Sequence, residues 1–168
     1  MKRTSELGLS LFEMLLTLSI LAILVAVAAP IASDWLERVR NQATANTLLR
    51  HLQAARTLSI ERGHTVVLCP IDESGCGDSW ARGWQVRDID TDEVLLRQSD
   101  MPPDLKIRWN RTSAITYRHN GTSAGLNGTL SLCNTRGKEV SRIAINNHGR
   151  ARLARAKDRP LCLEQAAN

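Results

Sequence analysis

The chain has 168 residues, and once an apolar N-terminal stretch is set aside there is room for one globular domain of ordinary size. Hydrophobic residues make up 43% of the sequence, and enough Val, Ile and Leu lie beyond that stretch to build a modest core. The net charge is +5, from 22 Lys and Arg against 17 Asp and Glu, and its distribution along the chain says more than its sum.

Residues 1–8 form a short polar leader ending in Gly8, and Leu9 to Ala29 is an almost unbroken apolar run with a single acid, Glu13, near its start. At ~1.5 Å rise per residue the run spans about 30 Å, the thickness of a bilayer core. A lone carboxylate in lipid costs roughly 2.5–3.5 kcal/mol or more, which marks Glu13 as a functional residue. Lys2 and Arg3 keep the leader on the cytoplasmic side. A secretory signal has its small residues after the apolar stretch and is removed together with it. Here the small residue, Gly8, comes first, and the order is inverted.

The string Gly8-Leu9-Ser10-Leu11-Phe12-Glu13, with apolar residues through Ala29 and then Pro30, resembles the type IV prepilin signal. That family usually has Phe or Met where Leu9 stands and Thr where Ser10 stands. The resemblance implies a leader peptide (1–8), a transmembrane and filament-core helix (9–30) and a globular head (31–168). It implies that prepilin peptidase cuts after Gly8 and that the new N-terminus, Leu9, is methylated. It also gives Glu13 a charge partner, the N-terminal amine of a neighbouring pilin subunit, as a buried carboxylate requires. The implied location is the inner membrane, crossed once with a periplasmic head, and afterwards a pilus filament on the surface of a Gram-negative-type cell.

From Ile31 to Arg62 the periodicity predicts a helix, with Trp35, Val39, Ala43, Leu48, Leu49, Leu52 and Ala55 as its apolar stripe. Gly63 is its expected C-cap. The helix is expected to continue from the membrane segment as one rod of roughly 80 Å. Pro30 lacks an amide hydrogen, so a kink or local melting is expected just before it. Strands are predicted at His64–Cys69, Trp84–Arg87, Val94–Arg97, Leu105–Trp109, Ile115–Arg118, Thr129–Cys133, Arg142–Ile145 and Arg150–Leu153. Pro70–Arg82 reads as a loop, and turns fall at Asp88–Glu93, Asn120-Gly121, Arg136-Gly137 and His148-Gly149. The predicted fold class is therefore α+β: a long N-terminal helix, half membrane and half amphipathic, packed on a C-terminal antiparallel sheet.

Four cysteines, Cys69, Cys76, Cys133 and Cys162, lie beyond the apolar run, and an even count in an exported domain points to disulfides. Three pairings are possible. Cys69–Cys76 with Cys133–Cys162 is favoured, because the first closes a small Pro/Gly-containing loop and the second pins a polar tail to a strand. Closing the second loop, of roughly 30 residues, is worth about 3–4 kcal/mol in the chain-entropy treatment. No C-x-x-C pair is present and the histidines are scattered, so no metal is expected. No cofactor is expected either, since there is neither a phosphate-binding loop nor a dinucleotide fingerprint. His51, His64, His119 and His148 stand near no nucleophile motif, which leaves an enzyme reading without residues; His148 reads as a turn residue.

Charge is segregated by sign. Residues 71–104 carry nine acids against three bases, residues 105–135 four bases and no acid, and residues 136–159 eight bases against two acids. Such a pattern orients a positive surface toward an anionic partner, or lets opposite patches meet within a filament. In an extended segment Arg150 and Arg152 point to the same side, about 6.6 Å apart, as two guanidinium forks able to grip phosphates. Arg155, Lys157 and Arg159 follow in the tail, and Lys106, Arg108 and Arg111 extend the stripe if their strand lies alongside.

The segments Leu52-Gln53-Ala54-Ala55-Arg56, Glu61-Arg62-Gly63, Val66-Val67-Leu68-Cys69-Pro70 and Gly83-Trp84-Gln85-Val86 are similar to those of the GspH/FimT family of minor pilins and pseudopilins. Gly149-Arg150-Ala151-Arg152 matches the G-R-x-R motif of the FimT-type minor pilins. That resemblance implies sequence-indifferent binding of extracellular DNA during natural transformation. Two alternatives remain open: a structural minor pilin that primes pilus assembly, and a type II secretion pseudopilin of the GspH type.

Overall fold

The computed structural model describes residues 10–73, 75–112, 114–123, 125–154 and 162. Gly8, Leu9, Arg155, Lys157 and Arg159 lie outside the described residues. Contacts divide the chain into two compact units, Met1–Arg38 and Val39–Asn168.

The first unit holds the start of helix α1, which runs over Leu11–Arg62. Ser10 caps it. Its hydroxyl accepts the Glu13 amide at 3.2 Å and its carbonyl the Met14 amide at 3.2 Å, the Ser-x-x-Glu spacing that satisfies a helix start. Thr17 and Ser19 return their hydroxyls to the carbonyls of Met14 and Leu16, so these donors are satisfied inside the helix as an apolar solvent demands. The apolar side chains from Leu11 to Val27 are exposed, and mean hydropathy reaches 2.6, making the helix long and apolar enough to cross a membrane. The helix is unbroken through Pro30, so the melting expected there does not occur.

In the second unit the helix buries Asn41, Ala45, Leu48, Leu52, Ala55 and Ser59, a stripe at three- and four-residue steps. The predicted stripe was right from Leu48 onward and displaced before it: Trp35 is 64% and Val39 45% exposed, and Ala43 is exposed too. Small and polar side chains, not the largest ones, face inward at this end. Gly63 closes the helix at φ +69°.

Among the described residues nine strands follow: β1 (Val66–Asp72), β2 (Gly75–Cys76), β3 (Trp84–Asp88), β4 (Glu93–Gln98), β5 (Leu105–Trp109), β6 (Ile115–Tyr117), β7 (Gly128–Asn134), β8 (Glu139–Ile145) and β9 (Ala151–Ala154). They form two antiparallel sheets where one was expected. The first has the order β2-β1-β3-β4, with β6 also on β1; the second has the order β5-β7-β8-β9. The chain passes between the sheets after β4, after β5 and again after β6, and Pro102 and Pro103, which have no amide hydrogen to carry a ladder onward, lie in the first of these crossings. The predicted loop Pro70–Arg82 contains the end of β1, β2 and a 3-10 turn at Trp80–Arg82.

One apolar core joins the helix to both sheets. Leu48, Leu52 and Ala55 meet Val66, Leu68, Trp84, Val86, Ile115 and Tyr117 of the first sheet and Leu105, Ile107, Leu130, Leu132, Ile143 and Ile145 of the second. A fully buried side chain of this size contributes roughly 1.5–3 kcal/mol. A polar contact spans the same interface: the Trp84 indole donates to His51 Nδ1 at 3.0 Å, which fixes His51 as the neutral Nε2–H tautomer. Burial, helped by the charge of Arg50, lowers the His51 pKa from 6.5. Disulfides Cys69–Cys76 and Cys133–Cys162 bind β1 to β2 and β7 to the C-terminal segment.

Candidate nucleic-acid interface

The Gly149-Arg150-Ala151-Arg152 segment begins in the turn between β8 and β9. The Asn146 carbonyl accepts the Gly149 amide at 2.9 Å, and Asn146 then closes the hairpin on Arg150. Its side-chain oxygen takes the Arg150 amide at 2.9 Å, and its own amide donates to the Arg150 carbonyl at 3.2 Å. Gly149 sits at φ +76°, where a Cβ would lie 2.3 Å from the Gly121 carbonyl oxygen and 3.2 Å from the Tyr117 ring. Both conformation and space require glycine here. The turn therefore cannot shift without moving its neighbours.

Those neighbours are a second turn, Arg118–Gly121, in which the Gly121 amide bonds the Arg118 carbonyl at 2.7 Å and Gly121 has φ +74°. Arg56, on helix α1, donates Nε–H to the Gly121 carbonyl at 2.9 Å. The buried Ser123 hydroxyl lies 2.8 Å from the Asn146 carbonyl and 2.7 Å from that of Leu126, linking the two turns again. Beneath them Tyr117 is fully buried, and burial pushes its hydroxyl far above the usual range despite the nearby Arg56 charge.

Arg150 and Arg152 are both exposed, and among the described residues neither has an acidic partner. Arg152 lies opposite Ala144 on β8, and β9 is the edge of its sheet, so a small neighbour and an open flank leave the guanidinium accessible. Arg142 shares the face of Arg152 but is engaged: it is buried and forms a two-pronged pair with Glu139, at 2.8 and 2.7 Å.

Lys106, Arg108 and Arg111 do not extend this edge. Lys106 and Arg108 lie on β5 and Arg111 just past its end, and β5 is the opposite edge of the sheet, with β7 and β8 between, roughly 14 Å away at the usual strand spacing. Lys106 and Arg108 share the face of Arg152, whereas Arg111 bonds the Asn127 carbonyl and side chain at 3.0 and 2.7 Å. The basic residues brought to the motif come instead from the 118–121 turn. The Asn120-Gly121 signal marks that turn in the sequence; its contact with Gly149 is tertiary and leaves no local trace.

A second polar cluster joins the end of the helix to the β3–β4 hairpin. Buried Asp88 accepts His64 Nδ1 at 2.8 Å and the amides of Asp90 and Thr91 at 3.0 and 3.3 Å, and Arg62 lies 3.5 Å away. Burial by itself raises the Asp88 carboxyl, but the hydrogen bonds from His64, Thr91 and Asp90 outweigh it and hold the group below 3.8. The ligating atoms of His64, Asp88 and Asp90 lie within 4.8 Å of one another. Asp88 and Asp90 are already hydrogen-bonded, Asp90 to the Thr65 amide at 2.8 Å, and a guanidinium faces the same carboxylate, so the set suits an anchor better than a cation.

A long helix whose second half packs on two antiparallel sheets is a pilin-like fold. The family model described as type II transport protein GspH matches residues 44–149, and the chain belongs to that family. Among solved structures, the type IV minor pilin FimU of Pseudomonas aeruginosa is similar in two crystal forms. One has 20% identity and a TM-score of 0.58, covering 71% of this chain and 91% of FimU. The other has 19% identity and a TM-score of 0.56, covering 68% and 92%. The minor pseudopilin EpsH of the Vibrio cholerae type 2 secretion system stands at 13% identity and a TM-score of 0.49, covering 68% and 96%. No curated protein matches the chain significantly.

Proposed function

We propose that this chain is a minor pilin that binds DNA through the phosphate backbone, with Arg150 and Arg152 as the primary contacts. The supporting observation is an exposed arginine pair, Arg150 at the turn leading into edge strand β9 and Arg152 on that strand, held by a glycine turn that leaves no room for a side chain and lacking an acidic partner among the described residues. Guanidinium forks spaced at two residues meet phosphates at almost any register, since duplex DNA carries one charge per about 1.7 Å of axis. Arg155, Lys157 and Arg159 add cations in the tail. With few aromatic residues beside these cations, binding is phosphate-led and indifferent to sequence.

In this reading, prepilin peptidase removes residues 1–8 after Gly8, Leu9 becomes the methylated N-terminus, and Glu13 neutralises the amine of an adjacent subunit in the filament. The apolar helix anchors the chain in the inner membrane before assembly and leaves the head on the periplasmic side. Filament retraction would then carry bound DNA inward, and several copies acting together would make modest affinity sufficient.

The test is titration of a labelled duplex of mixed sequence with the full chain in neutral detergent. Arg150→Ala with Arg152→Ala should weaken binding and flatten the log–log salt dependence by about 0.9 per lost contact. Unchanged affinity would remove the reading. The GspH family match favours a second reading, a structural or secretion-system role, in which deletion of the gene would abolish piliation or secretion rather than transformation alone.

A further inference from the structure

The contact between the two turns carries an inference that rests on the DNA-binding reading and extends it to a residue outside the motif. We infer that the turns Arg118–Gly121 and Asn146–Gly149 form one composite phosphate-binding edge, in which Arg118 supplies a contact beside those of Arg150 and Arg152.

Three observations fix the turns against each other. The Gly121 carbonyl abuts Gly149 so closely that a Cβ on Gly149 would stand 2.3 Å from it. The Ser123 hydroxyl reaches the Asn146 carbonyl at 2.8 Å. Arg56 holds the Gly121 carbonyl at 2.9 Å from the helix, and Ile60 backs the same glycine, where a Cβ would meet its Cδ1 at 2.6 Å. The two turns belong to different sheets: the first follows β6 and the second joins β8 to β9. Neither can move independently of the other or of the helix.

Charge then follows from the sequence of the turns. Arg118 and His119 are exposed on one, and His148 and Arg150 on the other. Among the described residues, Arg118 has no acidic partner, and residues 105–135 contain no acid at all. Chain geometry keeps the Cα atoms of Arg118 and Arg150 within about 17 Å. That length of duplex axis presents roughly ten phosphate charges, so one DNA segment can engage both turns together.

The experiment compares four full chains in neutral detergent against the same labelled duplex over a salt series: the natural sequence, Arg118→Ala, Arg150→Ala with Arg152→Ala, and Arg97→Ala. Arg97 is an exposed cation on β4 and serves as the charge-matched control. Arg118→Ala should weaken binding by about 3- to 5-fold at low salt and flatten the salt dependence by about 0.9, while Arg97→Ala changes neither. If the motif pair matters and Arg118→Ala behaves like Arg97→Ala, the composite edge is overturned and the DNA-binding reading stands. If the motif pair has no effect, that reading falls and the composite edge with it. Equal losses for Arg118→Ala and Arg97→Ala would assign the effect to net charge and overturn the edge. A thermal melt accompanies each variant; should Arg118→Ala melt early, Arg118→Gln, which keeps much of the side-chain stem, takes its place.

Discussion

The acid-rich segment 71–104 and the cationic end built from residues 118–152 handle charge in opposite ways. In the first, Asp88 takes up His64 and Arg62, Glu93 binds Arg62 at 2.6 Å, Asp92 pairs with Arg87, and Arg82 lies 4.0 Å from Asp72 and 3.7 Å from Glu73. Much of its negative charge is paired within the chain, and Asp88 and Glu93 lock the hairpin to the end of the helix through Arg62. In the second, Arg142 is paired, while Arg118, Arg150 and Arg152 face outward without an acid among the described residues. The net charge of +5 thus understates how positive the accessible surface of that end is. It also weakens the idea that the opposite patches exist chiefly to meet each other between copies.

This contrast can be broken most forcefully on the acidic side. Asp88→Ala leaves His64 and two backbone amides without their acceptor, removes one of the two carboxylates beside Arg62, and should cost about 3 kcal/mol, visible as a lower Tm, with DNA affinity of the remaining folded protein unchanged. Gly149→Ala should cost about 2 kcal/mol through positive φ and the Gly121 contact. It should also weaken DNA binding with no charge removed, which would show that turn geometry matters as well as charge. By contrast, Arg150→Ala with Arg152→Ala should change stability by no more than about 0.5 kcal/mol each while flattening the salt dependence of binding. A double variant that melted early would move the pair from the binding side of the comparison to the structural side.

The smallest effect separates two acid-sensitive groups. His51 and Asp88 both have folded pKa values below their unfolded ones, so each contributes stability that is complete above the unfolded value and declines as pH falls below it. For His51 the loss begins below 6.5, as protonation of Nδ1 displaces the Trp84 indole; for Asp88 it begins below 3.8. Thermal melts across pH should show two steps. His51→Gln, which retains an acceptor for Trp84, should erase the upper one and leave the lower.

Local signals account for most of what was legible in advance. The strand at Leu105–Trp109 matches its prediction residue for residue, and the turns at Asn120-Gly121, Arg136-Gly137 and His148-Gly149 stand where their glycines put them. Periodicity misplaced the upper stripe of the helix because bulk was taken as the guide, whereas Asn41 and Ala45 face inward and Trp35 and Val39 do not. The division into two sheets and the neighbours of the arginine pair depend on which strands meet after long excursions. Lys106 and Arg118 are alike as exposed cations in the sequence; strand order places one at the far edge, and a glycine contact brings the other's turn to the motif.

The Cys133–Cys162 bridge has a mechanical consequence. It closes a covalent ring that runs from β7 through β8 and β9 to the C-terminal segment and back. A load applied to β9 by a tethered polymer would tend to peel this edge strand away from β8. Because the chain leaving β9 returns to β7 through sulfur, such peeling is confined within the ring, and tension passes into the interior of the sheet instead of stripping its margin.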